Sequence, residues 1–126
     1  MTLIRNRATI LAGAAILAVL ASPTLAQDIG GNYTVEGKNP DGSTYTGTAT
    51  IEGTTGGNCA INWNIGSGQA SQAFCMRQNN VFSGAYILGD AIGIVIYQLG
   101  KDGELDGTWS IAGKEGVGFE RLTPAN

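Results

Sequence analysis

Nucleophilic or acid–base chemistry in this chain of 126 residues would have to proceed without histidine, because it contains none. That removes the commonest general base and the commonest metal ligand. Cys59 and Cys75 are the natural nucleophiles, but a thiol needs an activating base beside it. The densest carboxylate run is Asp102-Gly103-Glu104-Leu105-Asp106. On a strand, Glu104 and Asp106 share the face opposite Leu105, which reads as a solvated acidic edge rather than an acid/base pair. The same run begins like a calcium loop, yet Gly113 stands at the twelfth position, where a bidentate Glu is required. Gly56-Gly57 has no helix and no phosphate-loop lysine after it. Asn32-Tyr33-Thr34 fits a glycosylation sequon, but Tyr33 reads as core. No catalytic residue, cofactor or metal site is expected.

The N-terminus decides the compartment. Arg5 and Arg7 form a positive start, Ala8 to Ala21 is an uncharged apolar run, and Pro23 precedes Thr24-Leu25-Ala26. This is the layout of a secretory signal peptide cleaved after Ala26, and the run is short of the roughly 20 residues of a spanning helix. A periplasmic or extracellular protein is expected, with no membrane span after cleavage. Removing residues 1–26 takes away two arginines and no acid, so the formal net charge moves from −3 to −5. Such a balance offers no basic footprint for nucleic acid. An even cysteine count in a small exported domain reads as a Cys59–Cys75 disulfide.

Turn clusters divide the remainder, residues 27–126, into one domain of short strands. Gly, Thr and Asn are too frequent for long helices, and no sustained 3.6-residue apolar period appears. Turns at 39–42, 53–57, 66–68, 78–80, 89–90, 100–103 and 112–114 imply eight strands. They are expected near 31–38, 44–52, 58–65, 69–77, 81–88, 91–99, 104–111 and 115–122. Short connections make each strand antiparallel to the next, which is an all-β, eight-stranded, up-and-down barrel.

Side-chain alternation then assigns faces. The loop 39–43 sets Tyr33 and Val35 on one face with Tyr45. The loop 53–57 sets Gly47 opposite Trp63; the loop 112–114 sets Trp109 opposite Val117 and Gly107 opposite Phe119. Tyr33, Tyr45, Trp63, Trp109 and Phe119 are expected inside. With Gly66-Ser67-Gly68 as the next loop, Cys59 and Cys75 are directly opposed, within disulfide reach. Strands four to six carry two apolar faces. The cysteine register and a four-residue loop at 100–103 put Val81, Ala85, Ile87, Ile92, Ile94 and Ile96 inside. Phe74, Met76, Phe82, Tyr86, Val95 and Tyr97 then form an outer interface patch, with Leu88 and Leu99 on the same face. A bulge would reverse this, and either way one apolar face is left uncovered.

Closure of a barrel makes the first and last strands neighbours. Gly31-Asn32-Tyr33 opens the first and Arg121 closes the last, so Arg121 is expected over the Tyr33 ring as a cation–π lid. This arrangement resembles the calycin barrels (lipocalins, avidins and small bacterial inhibitors), with Tyr33 where Trp is usual. The chain also resembles a group of small exported bacterial domains sometimes labelled fibronectin-binding. The residues that carry this likeness are Gly31-x-Tyr33-x-Val35-x-Gly37-x-Asn39-x-Asp41-Gly42-Ser43-x-Tyr45-x-Gly47, Trp63, and Asp102-Gly103-x-Leu105-x-Gly107-x-Trp109. The label implies adhesion, although these positions explain a barrel rather than a ligand.

The expectation for function is a non-catalytic exported binding module. Its interior should be largely filled, with a shallow pocket at one mouth for a small hydrophobic ligand. A protein partner, or a second copy in a homodimer, is expected on the outer patch. The competing expectation is an inhibitor of an exported protease or lysozyme, with Gln27-Asp28-Ile29-Gly30 as an inserting trunk.

Overall fold

Apolar residues alternate with polar ones between successive turns, and a period of two builds strands. In the computed structural model, which describes residues 28–53, 57–66 and 68–125, there are eight of them. They are β1 (Gly31–Lys38), β2 (Thr44–Gly53), β3 (Asn58–Ile65), β4 (Gln69–Gln78), β5 (Val81–Leu88), β6 (Ala91–Leu99), β7 (Leu105–Ile111) and β8 (Gly118–Pro124). Each pairs antiparallel with the next, and β8 returns to β1, closing an up-and-down barrel. The signal peptide expected over 1–26 lies outside the described residues. A single 3₁₀ turn, Lys101–Gly103, lies between β6 and β7. Among the described residues no helix is long and apolar enough to cross a membrane.

The barrel has one closed end. Ile29 enters it, and the Tyr33 hydroxyl donates to the Ile29 carbonyl. Val35, Ile51, Ile61, Leu105 and Leu122 fill the layers above with almost no exposure. Cys59 and Cys75 oppose each other across β3 and β4, disulfide-bonded, with Cα atoms 4.9 Å apart. The bridge therefore staples two strands at their closed-end halves.

The inner face of β5 and β6 is the aromatic one. Phe82, Val95 and Tyr97 are buried, whereas Val81, Ile87, Ile92, Ile94 and Ile96 face outward. Phe74 and Met76 do point outward, so the expected patch of Phe74, Met76, Phe82, Tyr86, Val95 and Tyr97 is split between two faces. The cause lies in two loops. The β4–β5 turn has two residues, Asn79-Asn80, because Gln78 pairs with Val81 and Asn79 takes a left-handed φ of 56°. The β6–β7 connection has five residues, since Leu99 pairs with Leu105. Each differs by one residue from the loop read in the sequence, and a one-residue slip turns every side chain to the other face.

The same arithmetic corrects two other hairpins. Trp63 lies opposite Ala49 and Gly47 opposite Ile65, a shift of two that leaves the faces unchanged. In β7–β8, Trp109 pairs with Gly118 and Gly107 with Glu120. That shift of one places Phe119 outside and Glu120 inside.

Candidate functional site

The end opposite Ile29 and the disulfide is open. The connections β1–β2, β3–β4, β5–β6 and β7–β8 surround it, and a cavity of about 320 Å³ descends between them. Its wall is made by Tyr45, Trp63, Tyr86 and Trp109, and its floor includes Glu120. Ligand pockets run from about 300 to 1,000 Å³, so this one suits a small molecule. Among the described lining residues Glu120 is the one charged side chain.

Glycines make room for these rings. Tyr45 pairs with Gly37, Tyr86 with Gly93, Tyr97 with Gly107 and Trp109 with Gly118. In each pair the ring lies over its glycine: a Cβ at Gly107 would sit 2.6 Å from the Tyr97 ring, and one at Gly118 would overlap the Trp109 indole. Missing side chains on one strand thus seat aromatic rings from the next.

Glu120 is only 8% exposed, and its partners are all neutral. Tyr45 Oη donates to Oε1 at 2.8 Å; Tyr97 Oη and Trp63 Nε1 donate to Oε2, the latter at 3.1 Å. Trp109 Nε1 donates to Tyr45 Oη at 2.9 Å, which extends the network to β7. A carboxylate carries about four acceptor sites, so one on Oε1 is left unused. Burying a charge without a countercharge is costly, and three fixed donors offset that cost here. Tyr86 completes the cage, edge-on to Trp63 with ring centroids 5.7 Å apart.

The tyrosines report the field of this carboxylate. Burial, and then the charge of Glu120, pushes the Tyr86 hydroxyl up to about 12. The same two causes, in the same order, raise Tyr45 and Tyr97 well above the ordinary phenol value. Tyr33, at the closed end, is raised by burial and then by Asp28. All four remain neutral donors at physiological pH.

Arg121 does not reach Tyr33. It lies outside the barrel, 54% exposed, where Nε donates to Asp106 Oδ1 at 2.7 Å and Nη1 is 3.8 Å from Glu104. In the closing pair Arg121 stands opposite Glu36, and Tyr33 opposite Pro124. Three positions of register and opposite faces separate the two. The acidic edge at Glu104 and Asp106 is instead where the arginine binds.

Residue type alone does not single out Glu120, and the expected loop lengths put Tyr86 on the outer face, whereas it lines the mouth. A signal existed: Gly118, Glu120 and Leu122 alternate, so a register that puts Leu122 in the core also puts Glu120 there.

No family model matches the chain, and no curated protein matches it. Among solved structures it is similar to a redesigned β-barrel, at 13% identity and a TM-score of 0.67, covering 78% of this chain and 92% of that one. It is also similar to a de novo designed fluorescence-activating β-barrel, at 14% identity and a TM-score of 0.61, covering 79% and 96%. Both are β-barrels, and the likeness is one of fold.

Proposed function

We propose that the chain is a non-catalytic exported binding module that takes a small ligand with an apolar body into its open mouth. The observation that carries this is the combination of an aromatic wall with a few polar groups and one charged anchor, Glu120, at the floor, the usual composition of a ligand pocket. The disulfide is consistent with export. An inhibitor with a free N-terminal trunk is less favoured, because Ile29 is buried in the barrel's own closed end. Native mass spectrometry after mild purification tests the reading. It should detect either a bound small molecule or 1:1 uptake of added benzyl alcohol; ligand-free protein that takes up neither would contradict it.

Self-association is the second reading, and the outer face of β4–β6 favours it. Phe74, Met76, Ile87, Ile92, Ile94 and Ile96 are 49–70% exposed there. At roughly 100 Å² each they leave on the order of 600 Å² of apolar surface, approaching the ~800 Å² that each partner contributes to a standard interface. The outward positions of β3 to β6 carry no charged residue, whereas Glu36, Lys38, Glu52, Asp106 and Arg121 all project from β1, β2, β7 and β8. A second copy of the same neutral face is the occupant that fits, because two such faces meet without stranding a charge.

A further inference from the structure

We infer that the ligand of the open mouth is a small organic cation, an amine or ammonium compound whose apolar body lies against the rings while its charged head meets Glu120. This deepens the proposed binding function and rests on it.

Three features of the site point to positive charge. First, the donors on the floor are already committed. Trp63, Tyr45 and Tyr97 converge on Glu120, and Trp109 donates to Tyr45. Glu120 itself still offers an acceptor, the unused site on Oε1, so the ligand group that meets it is a donor, while the Tyr86 hydroxyl, Ser71 and Gln69 line the cavity around it. Second, the lining holds a carboxylate and, among its described residues, no cation. An anion would meet repulsion from Glu120, while a cation would give it its missing countercharge. Third, Tyr45, Trp63, Tyr86 and Trp109 surround that carboxylate, and aromatic faces attract cations through the ring quadrupole.

The entrance agrees. The rim of the open end carries Asp41, Asp90 and Glu115 against Lys114 and Lys38, a net negative balance that favours cations at the mouth. The cavity volume of about 320 Å³ limits the guest to about one ring with a short head group.

Three near-isosteric probes decide the matter on the unmodified protein: benzylammonium, benzyl alcohol and benzoate, titrated by calorimetry at pH 7. Benzylammonium should bind at least tenfold more tightly than benzyl alcohol, and benzoate should bind more weakly than both. Glu120→Gln should reduce the ammonium affinity at least tenfold and the alcohol affinity by much less, so that the preference for the ammonium collapses. If the alcohol binds as well as the ammonium, or the preference survives Glu120→Gln, the cation assignment is wrong while the pocket stands. If none of the three binds, the pocket reading fails and takes this inference with it. Should Glu120→Gln not fold, the order of the three probes on the wild-type chain settles the assignment alone.

Discussion

A single carboxylate held by phenols and indoles leaves a mark on titration. All four tyrosines of the chain are raised above the ordinary value of 10.0, Tyr86 to about 12. A phenol with a higher pKa in the folded than in the unfolded chain favours folding in its protonated form. That stabilisation is complete below pH about 10 and is lost as pH rises through the folded values. Tyr45, Tyr86 and Tyr97, the three around Glu120, should therefore show no tyrosinate step near pH 10 in the native protein; more than one tyrosine titrating near 10 in folded protein would refute the inward placement of that cluster. At this scale the sequence was only partly legible. The absence of histidine and the paired cysteines could be read directly, but whether a lone acid such as Glu120 lies inside depends on a register that no single residue announces.

Hairpin loop lengths decide which residues face each other. At 39–43 and 66–68 the turn residues mark the loop unambiguously, and the expected facing pairs, including Cys59 opposite Cys75, are those of the structure. Where a turn absorbed one residue fewer or more, as at Asn79-Asn80 and 100–104, the faces of β5 and β6 inverted. Composition could not correct this, because both faces of those strands are apolar. The glycine–aromatic pairing expected in the β7–β8 hairpin does occur, but between Trp109 and Gly118, and it recurs in three other hairpins or strand pairs. Gly118→Ala forces a methyl into the Trp109 indole and should destabilise the barrel by about 1–3 kcal/mol in denaturant unfolding. A neutral result would mean the ring is not seated there. Reducing the Cys59–Cys75 bridge, whose ends are 16 residues apart, should lower stability by about 3 kcal/mol, read as a drop in melting temperature. Thiol labelling of both cysteines in native, unreduced protein would show that the bridge is not formed.

On the scale of the molecule, the barrel divides twice: along its axis into a stapled, filled end and an open aromatic end, and around its girth into a charged half and a neutral apolar half. The strand number and meander were legible from turn spacing alone, whereas the girth asymmetry emerged only once the faces of β5 and β6 were fixed. Ile94→Glu, on the outer face, should shift sedimentation toward monomer at high concentration without lowering the melting temperature. Phe82→Glu, in the core, should unfold the chain. A wild-type chain that remains monomeric throughout would leave the outer face without a second copy. The binding function is tested most directly by the two indole N–H resonances, since both tryptophans of the chain, Trp63 and Trp109, line the mouth. Titration with benzylammonium, followed by amide and indole NMR, should move both indole signals saturably at one equivalent. Amides at Cys59, Cys75 and Leu105 in the closed half, and at Phe74 and Ile94 outside, should stay in place. Indole signals that move neither with benzylammonium nor with benzyl alcohol, or shifts confined to the outer face of β4–β6, would contradict a binding site in the open mouth.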